Sequence, residues 1–211
     1  MEPWEFKCKW YNDKNDFWKI ADEVRDKYWP EGTLPIDIET IVEFRLNLDI
    51  EPKHNLFSEI DMDAYLKRDL SGIVVDYDFY MNEKFANRMR FCFAHELGHF
   101  FLHKEIFSSL NLSSPEEWKY FILNVPEREY GRFEWQANEF AGRLLVPQRE
   151  LATEMEKALE IIKDNNLAEF LKKDSDAVLS SVSPALCRPF GVSTDVIGTR
   201  VKREGLWPPE L

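Results

Sequence analysis

The sequence predicts a mainly helical α+β fold, with a small β-sheet placed just before one buried helix. Three observations carry that reading. Residues 85–101 have apolar side chains at 85, 89, 92, 93, 97, 100 and 101, the spacing of a helix covered over most of its surface. Phe133, Ala137, Phe140, Ala141, Leu144 and Leu145 form a second apolar stripe, stopped before Pro147. Between turn-forming segments, Ile73-Val74-Val75 and Phe79-Tyr80-Met81 flank Asp76-Tyr77-Asp78, which reads as a short hairpin ahead of the first buried helix.

The other elements follow in chain order. Asp16 to Tyr28 is an amphipathic helix with Phe17, Ile20, Ala21, Val24 and Tyr28 on one side. Pro30, Gly32 and Pro35 break it, and a second helix runs from Ile38 to Arg45. Residues 105–130 mix Ser, Asn and Pro with Trp118, Tyr120, Phe121 and Ile122; a short helix bordering a cleft is expected there, its aromatics used in packing. Leu151 to Asp164 is a further helix with a charged open face. The expected organisation is an N-terminal helical extension (1–32), a core (33–150) carrying the insert at about 105–130, and a C-terminal helical subdomain (151–211).

Composition narrows the function. With 27 basic and 39 acidic residues the net charge is −12, which disfavours general nucleic-acid binding, because that depends on neutralising phosphates. It suits a protein partner with a basic surface. No apolar run approaches a membrane span, and the first residues include Glu2, Trp4 and Glu5 rather than a basic-then-apolar leader. The three cysteines, Cys8, Cys92 and Cys187, are far apart and form no Cys-x-x-Cys pair, as expected of reduced thiols in a cytoplasm.

Chemistry concentrates in His95-Glu96-Leu97-Gly98-His99. On a helix, His95 and His99 project from nearly one face, about 6 Å apart along the axis, so both imidazoles can reach one zinc ion. Glu96 sits roughly 100° further round, beside such a metal rather than on it, where it can act as general base toward water that the metal makes acidic. A third ligand must come from elsewhere. Glu134 shares its helix face with Asn138 and with the core-facing Ala137, and a carboxylate directed at a core needs a cation or a hydrogen-bond donor. Asn138, one turn on, can accept a histidine N–H and so fix its tautomer. Glu139 competes with Glu134 but falls on another face. His103 lies a further turn beyond His99; three ligands on one straight helix would span about 11–12 Å, too far for one ion. It reads as a helix-end cap, a substrate-side hydrogen bonder or plain packing. Tyr130 and His103 are the candidates for stabilising an oxyanion.

The segment from Arg88 to His103 resembles the core of the ImmA/IrrE-type zinc metallopeptidases, and Glu134-x-x-Ala137-Asn138-x-Phe140-Ala141-x-x-Leu144-Leu145-x-Pro147 is similar to that family's second signature. Weaker similarities lie at Leu34–Val42, at Leu70-Ser71-Gly72, and at Phe190-Gly191-Val192-Ser193 with Arg200. The resemblance implies a zincin-like metallopeptidase domain, Zn²⁺ held by His95, His99 and Glu134, and Glu96 as the catalytic carboxylate. It also implies a protein substrate of the helix-turn-helix repressor class, whose cleavage relieves repression of mobile elements or stress genes. The chain departs from the family at Gln136, where an acidic residue is common, and in its long insert.

Two rival readings belong to other classes. Phe190 to Arg203 resembles the second half of a helix-turn-helix and is locally basic, which suits a DNA-binding regulator. Against it stand the acidic chain and a preceding helix expected to be short and interrupted by Pro184. The other rival is a non-hydrolytic, zinc-containing module that only binds a repressor; an intact Glu96 weighs against it, since structural zinc sites are usually closed by four protein ligands.

Overall fold

The computed structural model describes residues 2–9, 11, 14–109, 114–165 and 167–209. These divide into two compact units, one of residues 1–31 with 37–144, the other of residues 32–36 with 145–211.

In the first unit, helix α1 (Lys14–Tyr28) buries Phe17, Trp18, Ala21 and Val24. Helix α2 (Ile38–Thr40), capped by Asp37, runs into a π-helical turn over Ile41–Arg45. There follow β1 (Asp49–Lys53), α3 (Leu56–Ile60), β2 (Ala64–Leu66), β3 (Gly72–Asp76) and α4 (Tyr77–Tyr80). The sheet has the order β1-β3-β2, with β1 parallel and β2 antiparallel to β3. All five residues of β3 are buried, as a central strand covered on both faces requires.

This corrects the expected hairpin. Phe79-Tyr80-Met81 forms no strand; Tyr77–Tyr80 is a helical turn instead. The cause is Asp76, whose Oδ1 accepts from the N–H groups of Asp78 (3.0 Å) and Phe79 (3.1 Å), while Oδ2 accepts from Phe57 N–H at 2.9 Å. An Asp that satisfies two orphan amides of the next turn starts a helix. The strand pairing antiparallel with β3 is β2, three residues long and too short to show a period.

Helix α5 (Ala86–Leu102) buries Met89, Phe93, Ala94, Leu97 and Leu102, and with them Glu96 and His99. Its C-terminal cap is His103, after which α6 (Lys104–Ser109) and α7 (Pro115–Asn124) form the insert. Ser114 caps α7 through a reciprocal box with Glu117. Helix α8 (Glu127–Leu145) buries the whole expected stripe and meets α5 at Gly98. A Cβ built on Gly98 would lie 2.9 Å from Ala137 Cα and 3.0 Å from Ala137 O, so only glycine permits this approach. At the far end of α8, Arg143 forms a two-pronged ion pair with Asp22 of α1, with Nε–Oδ1 at 2.9 Å and Nη2–Oδ2 at 2.6 Å.

The second unit contains α9 (Gln148–Asp164), α10 (Ala168–Lys173), α11 (Ser175–Cys187) and α12 (Thr194–Arg203). Leu151, Met155, Ala158 and Ile162 of α9, Val178, Leu179, Val182 and Leu186 of α11, and Ile197 and Val201 of α12 form its core. A second expectation is corrected here. Helix α11 runs through Pro184 for 13 residues, because its buried stripe continues on both sides of the proline and outweighs the ~3 kcal/mol that an interior proline costs. The cations of α12 are largely engaged within the unit: Arg200 is buried and pairs with Glu204, and Lys202 reaches Asp176 at 2.6 Å. No helix among the described residues is long and apolar enough to cross a membrane.

Candidate metal centre

Helical spacing on α5 brings the Nε2 atoms of His95 and His99 within 3.0 Å of each other. Glu134, midway along α8, closes the group: its Oε2 lies 3.2 Å from His95 Nε2 and its Oε1 3.7 Å from His99 Nε2. One donor atom from each of the three residues falls within 4.8 Å of the others. Asn138, one turn beyond Glu134, places Oδ1 3.0 Å from His95 Nδ1. A carbonyl oxygen only accepts, so Asn138 holds a proton on His95 Nδ1 and leaves Nε2, once it gives up its own proton, as the donor facing the group. Two imidazoles and a carboxylate converging in this way fit a metal such as zinc and leave a further coordination position free of protein.

Electrostatics agree with a cation there. Burial pulls the His95 imidazole down, but the Glu134 carboxylate beside it wins and holds the pKa at about 9. His99 is held well below the ordinary histidine range by burial, reinforced by the charges of His95 and His103. Burial raises Glu96 to about 7, against the opposing pull of His95.

Glu96 does not point into the donor group. Its Oε2 accepts a 2.7 Å hydrogen bond from the backbone N–H of Leu66 in β2. That strand pairs with β3 through Tyr65 and its odd-numbered neighbours: Asp76 N–H donates to Asp63 O and Lys67 N–H to Gly72 O, both at 2.8 Å. Alternation turns the N–H and C=O groups of Ala64 and Leu66 to the open side. Both residues line a cavity of about 300 Å³ that also takes in His95, Glu96, His99 and Glu134. Phe107 of α6 and Trp118 of α7 line it as well. The insert therefore borders the cleft as expected; Trp118 and Phe121 are packed, but Tyr120 is exposed, against the expectation that the insert's aromatics pack.

The remaining site candidates separate. Tyr130 lines the cavity, and its hydroxyl, held protonated by burial and by the hydrogen bond and charge of Glu134, has its pKa raised. His103 is instead fully buried behind His99, with the two Nδ1 atoms 3.0 Å apart, and it touches that ring rather than the cavity. Glu139 is directed elsewhere, accepting from Trp18 Nε1 at 3.1 Å. Sequence reasoning missed two participants. The Leu66 amide left no trace in the sequence. Gln136, a departure from the family pattern, lies three residues after Phe133 on the core stripe, a position where a polar side chain signals a buried partner.

The model of the Peptidase M78 family, the IrrE N-terminal-like domain, matches residues 79–202. The chain belongs to this family. The match includes both helices of the candidate metal centre and runs to α12, whereas β1–β3 and the N-terminal segment lie outside it. Membership supports a metallopeptidase-type function and implies a metal, for which His95, His99 and Glu134 form a possible site. No curated protein matches the chain significantly.

Proposed function

We propose that the chain is a zinc-dependent endopeptidase that cleaves a helix-turn-helix repressor, relieving repression of mobile-element or stress genes. One observation carries the reading: the Glu96 carboxylate is pinned on the open edge of β2 beside the converging His95, His99 and Glu134. A purely structural metal site has no use for an ionisable carboxylate next to its ligands, nor for an open strand edge.

Zinc, when bound by His95, His99 and Glu134, supplies acidification of water and polarisation of a carbonyl. The chain's own groups do the rest. The open edge at Ala64 can pair with an extended substrate backbone and lay it across the cavity. Glu96, fixed by the Leu66 N–H, takes a proton from water and passes it to the departing amine nitrogen. Tyr130, kept protonated beside Glu134, is placed to donate a hydrogen bond to the carbonyl oxygen under attack. Asn138 keeps the His95 ring oriented. The net charge of −12 favours approach of a basic partner such as a DNA-binding repressor. These arrangements suit a reduced, cytoplasmic enzyme.

The test is a comparison of tagged wild type and Glu96→Gln as baits in extract of the native host. A basic helix-turn-helix protein held intact by the variant and fragmented by wild type would establish reaction and target. The same partner held intact by both would replace hydrolysis with binding as the function.

A further inference from the structure

We propose that Gln136, anchored on the backbone carbonyl of Lys9, fixes which nitrogen of His99 carries its proton, and so keeps His99 Nε2 available as a metal donor. The proposal rests on His99 being a metal ligand.

The chain of hydrogen bonds runs in one direction only. The Lys9 carbonyl can accept but not donate, and Gln136 Nε2 lies 2.9 Å from it. The NH₂ end of the amide therefore faces Lys9, which turns Oε1 to the other side. There Oε1 lies 2.8 Å from His103 Nε2 and 3.5 Å from Cys8 Sγ. An amide oxygen only accepts, so His103 carries a proton on Nε2. A fully buried ring bonded to a neutral amide stays neutral, and its Nδ1 then presents a lone pair. His99 Nδ1, 3.0 Å away, must supply the proton of that contact. Its Nε2 is left as a lone pair aimed at His95 and Glu134. With the amide reversed, every proton along the chain would reverse, and His99 would present an N–H to the ligand group.

The anchor is itself held firmly. Phe6 is buried, with its ring edge-on to Phe121 and Phe133 at centroid distances of 5.3 and 5.5 Å. Cys8 N–H donates to Glu129 Oε2 at 3.0 Å. The N-terminal segment thus docks along α8 at positions 129, 133 and 136, one helical stripe, and the Lys9 carbonyl has a fixed place. His95 has its tautomer set in a single step by Asn138. His99, too deep for a direct partner of that kind, requires three. Glutamine suits position 136 because it satisfies a donor and an acceptor together, whereas a carboxylate there would serve His103 but oppose the Lys9 carbonyl.

The test uses the full chain, with histidine ¹⁵N labelling and zinc affinity by chelator competition. Wild type, free of zinc, is expected to show His99 protonated on Nδ1 and His103 on Nε2. Gln136→Met, which removes the acceptor, is expected to raise the zinc Kd about 10–100-fold and to mix the His99 tautomers. Gln136→Glu would set a carboxylate against His103, favouring the charged ring with a proton on Nδ1 as well, and is expected to weaken zinc too. A wild-type His99 protonated on Nε2 would overturn the proposal. So would a folded Gln136→Met with unchanged zinc affinity. If Gln136→Met fails to fold, the wild-type spectrum decides alone. A wild type that binds no zinc would remove the metal reading, and the zinc-free spectrum would still decide the direction of the proton chain.

Discussion

The backbone N–H of Leu66 donates to Glu96 Oε2 at 2.7 Å, so a three-residue strand holds the carboxylate of the metal-site helix. A general base works only from a fixed position, and this bond fixes one oxygen and leaves the other for water. Glu96→Gln preserves the side-chain shape and removes the base. It is expected to retain zinc while hydrolysis falls by about 10²–10⁴-fold. Turnover close to wild type in a zinc-loaded preparation would take the base role away from Glu96.

Glu134 brings a carboxylate to the two histidines from a different helix. Glu134→Ala is expected to lose zinc, measured as stoichiometry after dialysis against a metal buffer. Glu139→Gln should keep it, because that carboxylate accepts from Trp18. Asn138→Ala should weaken zinc about tenfold by releasing the His95 ring. Equal zinc content in the Glu134 and Glu139 variants would leave the third ligand unassigned.

Gly98 sets the distance between α5 and α8, the helices that carry the candidate ligands. The contacts a methyl group would make there are with backbone atoms of Ala137, which cannot swing aside. Gly98→Ala is expected to destabilise by about 1–3 kcal/mol and to weaken zinc as α5 and α8 are forced apart. Gly131, exposed within α8, has open space around it. Gly131→Ala should stabilise by about 0.5–1 kcal/mol. Urea melts of both variants provide the comparison, and a neutral Gly98→Ala would contradict the close approach.

Two of the three cysteines should be slow to react. Burial pushes the Cys8 thiol up to about 12 from 9.0, and burial, with the charge of Asp63, pushes Cys92 well up also. Cys187 is also raised by burial but is partly exposed. A thiol reagent at pH 8.5 is expected to label Cys187 first in the native chain and all three after unfolding. The folded Cys8 binds its proton more tightly than the unfolded one. Its contribution to stability is therefore complete below pH 9 and is lost as pH rises toward 12. Cys8→Ala should flatten that alkaline decline; an equal slope in both proteins would place the titration elsewhere.

Local periodicity made much of the site readable. A four-residue interval on a helix puts His95 and His99 on one face, and the same interval aligns Glu134 with Asn138, whatever the rest of the chain does. The buried stripe of α8 and its stop before Pro147 follow from side-chain chemistry alone. Where reading failed, a competing interaction had no local signature. Asp76 capped a helical turn where alternation suggested a returning strand, and burial on both sides carried α11 through Pro184. The roles of Leu66 and Gln136 belong wholly to the tertiary structure. The Leu66 amide meets a carboxylate 30 residues away, and Gln136 meets a carbonyl 127 residues away. Which side chains share a helix face, and so are candidates to converge on a metal, was thus determined by sequence spacing. Which way their protons and lone pairs point was decided by folding, because a hydrogen bond's direction depends on a partner that only the fold brings within 3 Å.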